Sequence, residues 1–380
     1  MSDVDWEKEG LVEGLESAER DARIELLEQL HDDGVELGEL RKAVEEERLT
    51  LLPVERVIGG DCDMTPKEVA EKAGVDLSLT QRNWQALGLT RLPEDARVLG
   101  ARDVEAAQQL KNLIDAGLPE DGVLSIARVM GEGMARISDA VLDVAGQAFL
   151  NAGESEHDLA VRYADAARYL IPLLQEQLDY VCNLHMREGI RTGYINATER
   201  ATGKLEGARN VGVAFADLVG FTKLGENLPP EEIGGLAGEL ADLAADVSQS
   251  PVRLVKTIGD AAMLVSEDNE ALIEAVLEMV GRADEARDGF PQLRAGVAYG
   301  PALSRAGDWY GRPVNVASRV TSVARPGSVL VHADVRDAVE DRFQWSFAGK
   351  RKLKGVKGEQ SLYRARQRNG SNGDGSGEDD

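Results

Sequence analysis

Two short apolar runs, each leading to a single aspartate, constrain this chain more than any other feature. In residues 211–222, VGVAFADLVGFT, Val211, Val213 and Phe215 alternate up to Asp217. Further on, Val252, Leu254 and Val255 lead through Lys256 into residues 256–263, KTIGDAAM, which contain Asp260. Alternation of this kind is the mark of a strand. A carboxylate at a strand end is held in place by the sheet and offers the hard oxygen that magnesium binds. Asp217 and Asp260 are therefore read as a pair that holds two divalent ions and handles a nucleoside triphosphate. For either aspartate alone, an ordinary strand-end turn would be the better explanation.

The elements around these runs alternate. The sequence predicts helices over 230–248, 269–286 and 313–323. Strands are predicted at 253–257, 261–265, 293–299, 328–332, 344–348 and 360–364, with a hairpin turning through Gly259 and Asp260. A mostly antiparallel sheet with helices on one face is an α+β arrangement.

The first half reads differently. Leu11, Leu15, Leu26, Leu27 and Leu30 fall near helical spacing. Residues 65–89 look like two helices joined at Gly74, with Thr65, Pro66 and Glu68 forming a helix start. This segment resembles the helix-turn-helix of MerR-type regulators. Glu68, Glu71, Asp76, Glu94 and Asp95 surround only Arg82 and Arg91, which argues against DNA as a partner. Met130, Met134, Ile137, Val141 and Val144 line one helical face. Such a face reads as interior, and an apolar ligand between these helices is the minority reading. Residues 158–186 form a further helix, long enough for a dimer seam or a connector.

The expected organisation is an all-α domain over 1–188, a linker over 189–209, an α+β domain over 210–367 and a disordered tail over 368–380. The linker carries Gly189, Gly193, Gly203 and Gly207 among Thr192, Thr198 and Thr202. The tail is polar and glycine-rich.

Composition excludes several classes. The net charge of −25 opposes non-specific binding to phosphate backbones, and 4% aromatic content leaves no stacking platform for single strands. Cys62 and Cys182 are too few for a disulfide framework or a zinc site. The acidic start MSDVDWEKEG is no secretory leader, and no run of eighteen apolar residues spans a membrane. A cytoplasmic protein is expected. No GxxxxGK[ST] motif occurs, which excludes a P-loop enzyme.

Three blocks in order complete the pattern: FADLVGFT at 215–222, KTIGDAAM at 256–263 and DWYGRPVNVASRV at 308–320. Through them, residues 207–366 resemble the class III nucleotide cyclase catalytic domain. The resemblance implies a ferredoxin-like palm that cyclises ATP to 3′,5′-cyclic AMP and pyrophosphate. Asp217, Asp260 and the Leu218 carbonyl would hold two Mg2+ or Mn2+ ions per site. Amides of residues 219–222, including Phe221 and Thr222, would face phosphate at a helix start. Lys256 would donate to adenine N1 and Asp308 would accept from its N6 amino group, which disfavours guanine. Without the family, these two are a surface lysine and a loop aspartate.

Asn315 and Arg319 lie four residues apart, hence on one helix face. The resemblance gives Asn315 the ribose and Arg319 the charge developing at the α-phosphate. In the basic run at 350–357, KRKLKGVK, it places Lys354 on the β- and γ-phosphates, with Lys357 as competitor. The two residue sets come from different subunits in this family, which implies a homodimer with two shared sites.

Ser318 departs from the family, where alanine is common. The compact segment 299–307 is similar to the actinobacterial subgroup. Several members of that subgroup have helical, autoinhibitory N-terminal halves that respond to pH. Among His31, His157, His185 and His332, His185 sits beside the linker and is the best placed to titrate near neutrality, although an incidental exposed histidine is the better explanation for each alone and crowded carboxylates could titrate instead. The competing reading, from another class, is a nucleotide-sensing DNA-binding regulator built on the 65–89 segment.

Overall fold

The computed structural model describes residues 4–60, 62–191, 207–286, 289–339 and 342–368. Linker residues Thr192, Gly193, Thr198, Thr202 and Gly203 and the tail 369–380 lie outside the described residues. The chain divides into two units, Met1–Tyr194 and Ile195–Asp380.

The first unit is helical: α1 (Ser17–Asp32), α2 (Leu37–Glu45), α3 (Leu52–Gly59), α4 (Pro66–Ala73), α5 (Leu77–Ala86), α6 (Ala101–Asp115), α7 (Glu120–Phe149) and α8 (Glu156–Arg191). It holds two small cores. Leu26, Leu27, Leu30, Leu40 and Leu52 enclose one, into which α8 inserts Ala160. Val69, Ala73, Trp84, Leu99 and Ala107 enclose the other. The helix start predicted at Thr65 is present. The Thr65 hydroxyl accepts from the Glu68 amide at 3.2 Å, and the Glu68 carboxylate accepts from the Thr65 amide at 2.7 Å.

The Met-bearing face of α7 is not interior. Met130, Met134, Val141 and Val144 are exposed. With 30 residues, α7 is about 45 Å long. Only its first turns, through Val123, Leu124, Ala127 and Gly131, are buried. Helical spacing revealed an apolar face but could not supply something to cover it. Leu170, Leu173, Tyr180 and Val181 of α8 are likewise exposed. Among the described residues, no helix is long and apolar enough to cross a membrane.

The second unit is an eight-stranded sheet with helices. Its elements are β1 (Arg209–Leu218), α9 (Phe221–Gly225), α10 (Pro230–Asp246), β2 (Arg253–Ile258), β3 (Ala261–Ser266), α11 (Asn269–Glu285), β4 (Leu293–Arg305), β5 (Asp308–Gly311), α12 (Arg312–Val323), β6 (Ser328–His332), α13 (Ala333–Ala338), β7 (Phe343–Lys352) and β8 (Glu359–Gln367). Strand order is β2-β3-β1-β4-β6-β8-β7, with β5 paired to the far end of β4. The pair β4·β6 is parallel and the other neighbours are antiparallel. The first four strands, with α10 and α11, run βαββαβ and lie in the spatial order β2-β3-β1-β4, the ferredoxin-like arrangement.

Helices cover both faces of this sheet, not the single face expected. On β1, Ala214, Ala216 and Leu218 pack beneath α10, α11 and α13. Val211 and Val213, one residue out of phase, pack beneath α12 through Val316, Ala317 and Val320. The α12 backbone comes so close to β4 that a Cβ on Gly296 would lie 2.2 Å from the Thr321 amide nitrogen. Glycine is therefore required there. Two elements were not predicted: β5, four residues long, and α13, a six-residue helix.

Candidate active site

Cross-strand partners share a face, so the ladder shows what β1, β2, β3 and β4 bring together. Asp217 stands opposite Ala261 on β3 and Arg294 on β4. Phe215 stands opposite Met263, which stands opposite Lys256 on β2. Asp217, Arg294 and Lys256 therefore lie on the α12 face of the sheet.

Asp217 is mostly buried, its side chain 17% exposed. Oδ2 accepts from Arg294 Nε at 2.9 Å and from Arg294 Nη2 at 2.5 Å. Burial nevertheless pushes its pKa above the usual carboxylate value, Arg294 opposes the rise, and the neighbouring Asp260 carboxyl adds to it. Asp260 is brought there by the β2–β3 turn, whose Asp260 carbonyl accepts from the Leu218 amide at 2.9 Å. A buried carboxyl whose ionisation is made costlier by an acidic neighbour forms a natural seat for a cation. No cluster of three or more His, Cys, Asp or Glu suited to a metal occurs among the described residues. Two carboxylates fit magnesium or manganese of the kind whose remaining positions are filled by water and substrate oxygens.

Beyond Asp217, Gly220 adopts φ 79°, a left-handed conformation that glycine takes without strain, and turns the chain into α9. Phe221 is half-buried and Thr222 exposed in its first turn. The Val219 amide, expected among the phosphate-facing groups, instead donates to the Gln292 carbonyl at 2.8 Å.

Lys256 and Asp308 meet in an ion pair between Nζ and Oδ2. Their side chains are 33% and 28% exposed. The second Asp308 oxygen accepts from the Trp309 amide at 2.8 Å, which fixes the carboxylate plane. They lie 52 positions apart in the sequence and are brought together by β2 at one edge and by β5 on the extension of β4. Asn315 and Arg319 are exposed on α12, while Val316 and Val320 hold its other side in the core. Lys354 and Lys357 are exposed in the turn 353–358 between β7 and β8. The structure thus joins Asp217 with Asp260, and Lys256 with Asp308. It leaves Asn315, Arg319 and Lys354 facing outward.

Arg294 was missed. An arginine in LRAGVAYG reads as a strand residue, and only the β1·β4 register places it on Asp217. Alternation fixes a face but not a partner across the ladder.

Both units of the chain are similar to known proteins. The adenylate cyclase regulatory domain family matches residues 4–190, and the adenylate and guanylate cyclase catalytic domain family matches residues 204–366. A pH-sensitive adenylate cyclase of Mycobacterium tuberculosis is 44% identical over 365 residues, covering 93% of this chain and 91% of that protein. An adenylate cyclase of Streptomyces griseus is 33% identical over 277 residues, covering 72% of this chain and 68% of its own. A crystal structure of an adenylyl cyclase from P. aeruginosa covers 42% of this chain and 95% of its own at 20% identity, with a TM-score of 0.38. With a family model matching each of its units and a relative 44% identical over 93% of its length, this chain belongs to the class III adenylate cyclases.

Proposed function

We propose that this protein converts ATP to 3′,5′-cyclic AMP and pyrophosphate at two equivalent sites, each shared between the protomers of a homodimer. The observation that carries this is the β2–β3 hairpin, which presents Lys256 against Asp308 and, four residues on, Asp260 beside Asp217. Asp217 and Asp260, with the Leu218 carbonyl, would hold two Mg2+ or Mn2+ ions. Bound there, the ions lower the cost of ionising the ribose 3′-hydroxyl and of charging the pyrophosphate.

The protein's own groups do the rest. Lys256 and Asp308 exchange their mutual ion pair for the adenine edge, a donor for N1 and an acceptor for N6. Guanine offers the reverse pattern and leaves both unpaired. Asn315 orients the ribose. Arg319 gathers charge at the α-phosphate, and Lys354, or Lys357 in its place, meets the β- and γ-phosphates. Phe221 and Thr222 border the phosphates at the start of α9. Exposure of Asn315 and Arg319 in the single chain is what a site completed by a second copy requires.

Purified full-length protein with ATP and Mg2+ or Mn2+ is expected to release cyclic AMP, and with GTP to be far slower. Neither Asp217→Ala nor Lys256→Ala should be active alone. Mixed dimers of the two should regain one intact site. Mixed dimers that stay inactive would refute the shared site.

The helical unit over 1–188 is proposed to restrain the catalytic unit through the linker 189–209, with pH as the signal, as the name of the mycobacterial relative suggests. Removal of residues 1–200 should raise the basal rate. An unchanged rate in a dimeric fragment would contradict restraint. The DNA-binding alternative gains no support: Arg82, on α5, the second helix of that segment, is paired with Glu120.

A further inference from the structure

Gln360 is the second residue of β8, and it is a polar side chain only 8% exposed. A buried amide must find partners for both its oxygen and its nitrogen. Its Nε2 donates to the Lys357 carbonyl at 2.9 Å. A carbonyl only accepts, so this bond identifies the nitrogen end of the amide. Its Oε1 lies 2.8 Å from Nε2 of buried His332 and 3.3 Å from Nη2 of Arg312. Since Oε1 has no proton to give, His332 carries one on Nε2. His332 Nδ1 then accepts from the Asp334 amide at 3.4 Å and caps α13.

These partners come from three elements. Lys357 belongs to the turn 353–358, Arg312 is the first residue of α12, and His332 is the last of β6. The turn has two apolar anchors in the core beneath α12: Leu353, 5% exposed, and half-buried Val356, whose amide donates to the Leu353 carbonyl at 3.1 Å. Its polar anchor is the Gln360 amide. Lys354 lies between Leu353 and Gln360. Through Arg312 the same amide reaches the start of the helix that carries Asn315 and Arg319.

We infer that Gln360 is a positioning residue whose buried amide ties the lysine turn to the start of α12, so that the phosphate-facing lysine and the Asn315–Arg319 face keep a fixed relation. It touches no substrate. The inference rests on the proposal that this turn meets the β- and γ-phosphates of ATP. Its removal would orphan the Lys357 carbonyl and the His332 Nε2–H, so the turn would relax toward water.

The test uses the full-length protein, with inorganic pyrophosphate as an inhibitor of cyclic AMP formation. Gln360→Ala is expected to weaken pyrophosphate inhibition and raise KM for ATP by roughly tenfold, and to lower kcat as α12 loosens. Gln360→Glu keeps an oxygen for His332 and Arg312 but sets a carboxylate oxygen against the Lys357 carbonyl. It should therefore raise KM and weaken pyrophosphate while leaving kcat near its original value. That split is not what a general loss of stability gives.

Combining Gln360→Ala with whichever of Lys354→Ala or Lys357→Ala weakens pyrophosphate should weaken it no further than the lysine change alone. Additive losses would overturn the inference. If both lysine variants leave pyrophosphate inhibition intact, the phosphate assignment falls and the inference with it. If a lysine variant weakens it and the Gln360 variants do not, only the inference falls. Should Gln360→Ala fail to fold, Gln360→Glu decides alone, and unchanged pyrophosphate inhibition would overturn the tether.

Discussion

The two halves of the candidate site are built differently. Asp217 sits against Arg294, and Lys256 against Asp308, so in the single chain these half-buried charges already have partners. Asn315, Arg319 and Lys354 are exposed. A charge withdrawn from water needs a counter-charge close by, while a charge left in water does not. The fold of the single chain thus makes both ion pairs and leaves the other three groups to solvent. In the proposed shared site, Lys256 and Asp308 would act with Asn315 and Arg319 of the same protomer, opposite Asp217 and Asp260 of its partner. Chemistry in such a site would depend on association as much as on folding.

Four changes would break or sharpen this contrast. Asp260→Ala or Asp217→Ala should cost the most, at least about a thousandfold in kcat with either ion, because cation binding fails outright. Circular dichroism should remain that of the folded chain. Arg319→Ala should follow, lowering kcat by about 10²–10³-fold with little change in KM, since its partner charge develops only during reaction. Equal losses in 1/KM and kcat would place Arg319 on the bound substrate instead. Asp308→Ala should lower kcat/KM for ATP by roughly ten- to a hundredfold and narrow the preference over GTP. Retention of the full preference would remove Asp308 from base recognition.

The smallest effect concerns pH and metal. The Asp217 carboxyl holds its proton more tightly in the folded, metal-free protein than in the unfolded chain. Its contribution to stability is therefore full below the ordinary carboxylate value and lost as pH rises through the raised one. A divalent cation held as proposed would compete with that proton. Mn2+ should raise the melting temperature by about 2–4 °C at pH 7 and less at pH 5. Asp217→Asn should remove the difference, and a metal effect of equal size at both pH values would contradict it.

Much of this was legible in the chain itself. Alternation ending on Asp217 and the Gly259–Asp260 turn gave the strands that hold the carboxylates, because burial on alternate residues imposes that pattern. Thr65, Pro66 and Glu68 gave a helix start correctly, since capping is local chemistry. Pairings across the sheet were not legible. Arg294 is identified only by register, and β5 is too short for a periodic signal. Gln360 opens the strand predicted at 360–364, but only the fold closes His332 and Lys357 around it. The apolar row on α7 was recognised from its spacing, yet its exposure follows from how far the helix runs beyond its neighbours.

Strand β2 is the rim of the sheet, bonded on one side to β3. Lys256 lies within it and Asp260 just beyond its end. A nudge to this one hairpin would shift the proposed adenine contact of one shared site and the proposed cation seat of the other together, as two fingers of one hand. A regulator acting there would need to disturb no more than a single ladder of backbone bonds to switch off both.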